Sequence, residues 1–137
     1  MLIRLITIAD HPKLITFWKT NYFVNELDEY IRFKHFLEKN PKLSLLAEDK
    51  GKIIGTVLGS FDGRRGYIQK LVVGKNYRKQ GLGKQLMESV VGKLKKLGVL
   101  YIPISCEAEN TAFYQKSGFK KTGQITLSKS WSHYKKP

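Results

Sequence analysis

The stretch from Gly66 to Gly98 leaves the chain little freedom. An apolar strand ending in Leu71-Val72-Val73 passes through a basic turn punctuated by Gly74, Gly81 and Gly83 into a long amphipathic helix. Leu82, Leu86, Met87, Val90, Val91, Leu94 and Leu97 recur at helical spacing on one face, and Gly98 stands where a helix-terminating glycine belongs. A helix with one apolar face must lie against another element, and the preceding strand is the nearest apolar surface. Leu100 to Ser105 reads as a further short buried strand, so residues 66–105 are strand, helix, parallel strand. The turn itself has the makings of an anion site. N–H groups in the first turn of a helix lack intrahelical partners, the helix dipole adds partial positive charge, and glycines at 81 and 83 let a ligand approach the backbone.

The remaining elements follow from periodicity and punctuation. Leu2 to Ile8 is expected as a strand, Asp10-His11-Pro12 as the entry to a helix reaching about Lys19, and Leu27 to Asn40 as a second helix ended by Asn40-Pro41. The acids Glu26, Asp28 and Glu29 suit the positive end of that helix. Leu43 to Glu48 and Lys52 to Phe61 are strands around an Asp49-Lys50-Gly51 turn, and Asp62-Gly63 reverses the chain into Gly66 to Val73, giving an antiparallel meander. Asn110 to Ser117 is a short helix stopped by Gly118, and Phe119 onward supplies one or two final strands. The sum is an α/β (α+β) domain, with a mixed, mostly antiparallel sheet, a central parallel strand pair and about four helices. At 137 residues a single domain spanning 1–137 is expected.

Charge is distributed unevenly. Residues 1–63 carry nine Lys/Arg against eight Asp/Glu, whereas residues 64–137 carry sixteen against three, so a polyanionic partner would meet the second half. Twenty of the 25 basic residues are lysine, and bidentate phosphate or base recognition favours arginine. A nucleic-acid surface and a merely solvated lysine-rich surface both stay open. The single cysteine, Cys106, rules out an internal disulfide framework and fits a reducing, cytoplasmic setting; a buried structural thiol is the favoured reading over a nucleophile. Met1 to Ala9 is interrupted by Arg4 and is too short for a signal or a span, so no membrane partner is expected. His11, His35 and His133 are scattered, which gives a metal site little support.

Two common phosphate loops do not fit the glycine turn. Gly83-Lys84 is followed by Gln85 rather than Ser or Thr, and position 78 is Arg, so the triphosphate-binding loop fails. A dinucleotide fingerprint needs a third glycine where Leu86 stands. What remains, Arg78-Lys79-Gln80-Gly81-Leu82-Gly83 between a Leu-Val-Val strand and an amphipathic helix, resembles the pyrophosphate loop of the GNAT family of N-acetyltransferases. Asn110-Thr111-Ala112-Phe113-Tyr114-Gln115-Lys116-Ser117-Gly118-Phe119 resembles the same family's downstream segment. The two motifs span residues 66–119, and the chain looks like the small bacterial and archaeal members of unassigned substrate. The short spacing between Asn110 and Phe113, with Cys106 four residues earlier, is similar to glucosamine-phosphate acetyltransferases. Gln69, where those enzymes carry a glutamate, departs from them.

The resemblance implies acetyl-coenzyme A as cosubstrate, no metal, and direct transfer of acetyl to a primary amine on a small molecule or protein, in a monomer or homodimer. It implies main-chain donors at Leu71, Val72 and Val73 for the pantetheine arm and the thioester oxygen. For the phosphates it implies Arg78, Lys79, Gln80, Gly81, Leu82, Gly83 and Lys84, with Lys116 toward the adenosine end. Asn110 would hydrogen-bond the pantetheine or cap a helix, and Phe113 belongs to the same motif. Tyr114 matches the group that protonates the leaving thiolate; its alternative is packing. An alkylamine is neutral only about once in a few thousand at pH 7, so a base or desolvation is needed. Glu107 is the candidate base, its alternative being a first-turn helix acid, and Glu48 or Asp49 could act through water. Trp18, Tyr22, Phe23, Tyr30, Phe33 and Phe36 lie on the first helices, which in this family line the acceptor pocket.

Overall fold

A computed structural model describes residues 1–131. Strands β1 (Leu2–Leu5), β2 (Leu45–Asp49), β3 (Lys52–Phe61) and β4 (Gly66–Val73) form one sheet in the order β1-β2-β3-β4, each pair antiparallel. The β2–β3 turn takes Lys50 and Gly51 through positive φ (52° and 77°), the twist that a two-residue hairpin requires. Helix α3 (Leu82–Lys96) covers one face of the sheet, and α1 (His11–Asn21) and α2 (Tyr30–Lys39) cover the other. A short helix, α4 (Thr111–Gln115), follows the segment after α3.

Two apolar layers result. On the α3 side, Leu86, Met87, Val90 and Leu94 are fully buried against Leu45, Ala47, Ile54, Val57 and Ile68. At about 1.5–3 kcal/mol for each large apolar side chain, this layer is what fixes α3 on the sheet. Opposite, Leu14, Trp18 and Phe33 pack on Leu46, Leu58 and Val72. Asn40 ends α2 as expected and is put to further use: its side-chain oxygen accepts the Phe61 N–H (2.9 Å), tying α2 to β3.

The α/β class and the four helices agree with the sequence reading, but the central parallel pair does not form a ladder. Residues 100–105 lie beside β4 with one backbone bond, from the Gly66 N–H to the Tyr101 carbonyl (3.1 Å), while Ile102 and Ile104 pack against the core. Pro103 has no N–H to donate, and Leu100 and Tyr101 are exposed, so the segment is neither regular nor buried throughout. No strand forms between Phe119 and residue 131 among the described residues, and the rest of that expectation, with His133, lies outside them.

A charged knot secures β1 to the start of α1. Arg4 donates to both carboxylate oxygens of Asp10 (2.9 and 2.8 Å), whose Oδ2 also accepts the Thr7 N–H (2.8 Å). The Arg4 guanidinium holds the Asp10 carboxyl below its ordinary pKa. The folded value therefore lies under the unfolded one, near 3.9, and the stabilisation is complete above that unfolded value and lost as pH falls through the folded one. Asp10→Ala is expected to cost about 2 kcal/mol at pH 7 and to flatten the acid limb of stability against pH. Urea unfolding as a function of pH checks this, and an unchanged acid limb would contradict it.

Candidate functional site

The site begins where β4 ends. After Val73 the chain makes a helical turn at Lys75–Tyr77 and enters α3 through Lys79 (φ 61°) and Gly81 (φ 85°, ψ 0°). Gly81 needs its glycine for that backbone, and no atom lies within 4 Å of where its Cβ would be, so the space in front of the turn is open. The first intrahelical bond runs from the Gln85 N–H to the Gly81 carbonyl (3.0 Å), which leaves the N–H groups of Leu82, Gly83 and Lys84 without intrahelical partners. Arg78 braces the turn rather than standing free: its Nε donates to the Val73 carbonyl (3.0 Å) and an Nη to the Asn21 carbonyl (3.5 Å). Gln80 Nε2 reaches the Asn76 carbonyl (3.4 Å), and Lys84 lies 4.0 Å from Glu88.

Helix α4 meets this turn from the other side. A Cβ on Gly83 would sit 3.4 Å from both Phe113 Cζ and Val73 Cγ2, so Gly83 joins α3, β4 and α4. Phe113 stands edge-on to Tyr114 (5.0 Å between ring centroids), and Tyr114 edge-on to Phe119 (5.7 Å). Tyr114 is half-buried, and its phenol pKa is raised, first by burial and then by the neighbouring Cys106 and Tyr22. It is therefore a neutral hydrogen-bond donor across the ordinary pH range. Asn110 is exposed and its side chain makes no capping bond, so the capping role is not seen and the amide is left to solvent. Lys116 is exposed at the end of α4.

Two cavities share the wall formed by Pro103, Ile104 and Ser105. One lies toward α3 and α4 and includes Tyr114 and Cys106; the other, of about 670 Å³, lies toward α1 and α2 and includes Tyr22, Phe23, Arg32, Tyr67, Gln69 and Lys70. Cys106 is an exposed thiol, not the buried one expected, because the irregular segment it follows is not a core strand.

The expected carboxylates are differently employed. Glu48 pairs with Arg4 (3.3 Å) and Asp49 accepts from the Tyr77 hydroxyl (3.3 Å), both on β2, with β3 between them and β4. Glu107 precedes the single helical turn at Ala108–Asn110, makes no side-chain capping bond, and lines neither cavity. Leu71, Val72 and Val73 occupy the end of β4, whose far edge has no ladder beyond Gly66, with Val72 buried between the sheet and α1. Among the described residues no group of three or more His, Cys, Asp or Glu is placed to hold a metal ion, and no helix is long and apolar enough to cross a membrane.

Sequence reasoning missed the most constrained charge in this region. Lys70 sits at φ 49° beside a register shift in the β3–β4 pairing. Its ammonium lies 3.1 Å from Asp28 Oδ2, donates to the Phe23 carbonyl (2.7 Å), and stands over the rings of Phe23 (4.6 Å), Trp18 (4.9 Å) and Tyr22 (5.3 Å). Burial pushes the Lys70 pKa down, partly opposed by Asp28. A signal was present: Lys70 stands two residues before Val72, with which it shares the α1 side of the strand, a lysine in an apolar stretch. Lys70→Met should cost about 3 kcal/mol because Asp28 loses its counter-charge, and adding Asp28→Asn should recover part of that loss. Urea unfolding of the cycle checks this; additive losses would contradict it.

A sequence model of the Acetyltransferase (GNAT) family matches residues 12–119. The acetyltransferase ECA0875 of Pectobacterium atrosepticum is 30% identical over 133 residues, covering 94% of each chain. Among solved structures, the glucosamine-6-phosphate N-acetyltransferase of Arabidopsis thaliana superposes with a TM-score of 0.75 at 24% identity, covering 96% of this chain and 98% of that one. The PaiA N-acetyltransferase of Thermoplasma acidophilum, in complex with coenzyme A, superposes at 0.76 with 18% identity, covering 90% and 92%. At these identities the two structures speak to the fold.

Proposed function

The chain belongs to the GNAT acetyltransferase family, and from that membership we propose that it transfers acetyl from acetyl-coenzyme A to a primary amine by direct attack on the thioester. The observation that carries this reading is the convergence of three features: the open N-terminus of α3, the unladdered edge of β4, and Tyr114 beside the wall shared by the two cavities. Acetyl-coenzyme A supplies an acetyl group on sulfur, which ends on the acceptor nitrogen as the C–N bond forms, the C–S bond breaks and the thiol leaves.

Each part of the chain then has a task. The N–H groups of Leu82, Gly83 and Lys84, with the dipole of α3, hold phosphate oxygens, and the αL backbone at Gly81 keeps a side chain out of their way. Main-chain groups at Leu71, Val72 and Val73 hold the pantetheine arm and offer donors to the developing oxyanion. Tyr114 delivers a hydrogen bond to the sulfur as negative charge collects there. Its raised pKa makes complete proton transfer to a thiol of ordinary acidity uphill by at least about 2 kcal/mol, so donation without ionisation is its main contribution. Asn110, exposed and uncommitted to the helix cap, is available to the same arm.

Acetyl-coenzyme A at a hundredfold excess over its Kd should stabilise the protein by about 2.7 kcal/mol, seen as a rise in Tm, and Gly81→Glu should remove the rise. No shift at millimolar acetyl-coenzyme A would defeat the proposal. Tyr114→Phe should lower kcat by about a hundredfold and leave the Kd for acetyl-coenzyme A unchanged, by thiol release and calorimetry. Because the phenol stays protonated, kcat in the parent protein should show no falling limb from Tyr114 ionisation below about pH 10.

A further inference from the structure

Resting on that reading, we infer that the cavity between β4 and the α1–α2 region takes an amine whose body also carries an anionic group, a carboxylate or a phosphate, received by Arg32. A cationic acceptor would find its receptors here already occupied. Ammonium groups are bound by carboxylates and by aromatic faces. Among the described residues Asp28 is the only carboxylate lining this cavity, and its Oδ2 is already shared between the Lys70 ammonium (3.1 Å) and the Asn25 N–H (3.0 Å). The aromatic faces are taken as well, since Lys70 Nζ stands within 5.3 Å of the ring centres of Phe23, Trp18 and Tyr22. The chain has filled its own ammonium receptor with its own lysine. A polyamine entering here meets like charge and no free counter-charge.

An anionic group meets the opposite. Arg32, in the first turn of α2 and four residues after Asp28, lines the same cavity, is exposed, and has no carboxylate partner among the described residues. With Asp28 neutralised by Lys70, Arg32 is the uncompensated charge among the described residues that line the cavity, and its guanidinium matches carboxylate and phosphate oxygens in bidentate geometry. Asn25, Gln69 and Ser105 add neutral polar residues to the lining. A volume of about 670 Å³ suits an amino acid or an amino sugar phosphate. The fixed cations also favour the neutral form of the acceptor nitrogen, which is the form that reacts, so the same charges select the substrate and help prepare it.

Three four-carbon acceptors isolate the charge: γ-aminobutyrate, γ-aminobutyramide and putrescine. Glucosamine and glucosamine 6-phosphate repeat the comparison for phosphate, so the two series tell a carboxylate ligand from a phosphate ligand. Binding to the whole protein by calorimetry, and KM and kcat by thiol release, are measured at 0.15 M salt. In at least one series the anionic member should bind about tenfold more tightly than its neutral counterpart. Arg32→Gln should erase that ratio through KM with little change in kcat, Arg32→Lys should restore part of it, and Lys96→Glu, a charge change on exposed α3, should leave it intact. Equal binding of neutral and anionic members, preference for putrescine, or equal loss in the Lys96 variant would overturn the inference. Acetyl transfer to putrescine would overturn it while leaving the acetyltransferase reading in place. Arg32-dependent anion binding without any acetyl-coenzyme A binding would uphold the anion site and defeat that reading.

Discussion

The site depends on a buried hydrogen-bond chain that holds β4 out of regular register. Trp18 Nε1 donates to Thr56 Oγ1 (3.0 Å), and Thr56 Oγ1 donates to the Lys70 carbonyl (2.9 Å), with Trp18 and Thr56 fully buried. A lysine in the left-handed region costs of the order of 1–2 kcal/mol. Two hydrogen bonds in a low-dielectric interior, together with the Lys70–Asp28 pair, offset that cost. The consequence reaches both faces of the sheet. Ile68 packs toward α3, whereas Val72, four residues on, packs toward α1, so the strand changes phase between them. Beyond Gly66, no regular ladder joins β4 to residues 100–105.

That change of phase separates two surfaces. On the α3 side lie the open helix N-terminus, Gly83 against Phe113, and the cavity with Tyr114. On the α1–α2 side lie the aromatic loop, the filled ammonium cage and Arg32. The segment Pro103 to Ser105 is the partition between the two cavities. In the proposed reaction, donor and acceptor are recognised by unrelated chemistry, backbone N–H groups for one and side-chain charge for the other.

The backbone of the glycine turn was legible because its geometry is local: Gly81, Gly83 and the amphipathic face of α3 are adjacent in sequence, and helical spacing alone sets their arrangement. The meander was legible for the same reason, with Lys52–Phe61 and Gly66–Val73 found at the bounds expected from turn residues. Partnerships across long separations were not legible. Asp28 read as a helix-dipole acid and is instead the counter-charge of a lysine on β4. Glu48 read as a possible base and is committed to Arg4. Apolar content suggested a regular strand at Leu100 to Ser105, but that pattern does not say whether a neighbouring edge is free to pair, and the bulge at Lys70 together with Pro103 decides against a ladder.

In the proposed function, the unladdered edge of β4 and the open end of α3 form one continuous donor surface. Amide hydrogen exchange with and without acetyl-coenzyme A tests it most directly. The account predicts slowed exchange at Leu71 to Val73 and at Leu82 to Lys84 together, with β1 and β2 unchanged. Protection confined to the lysine-rich surface elsewhere, or protection at the turn without any at β4, would contradict it.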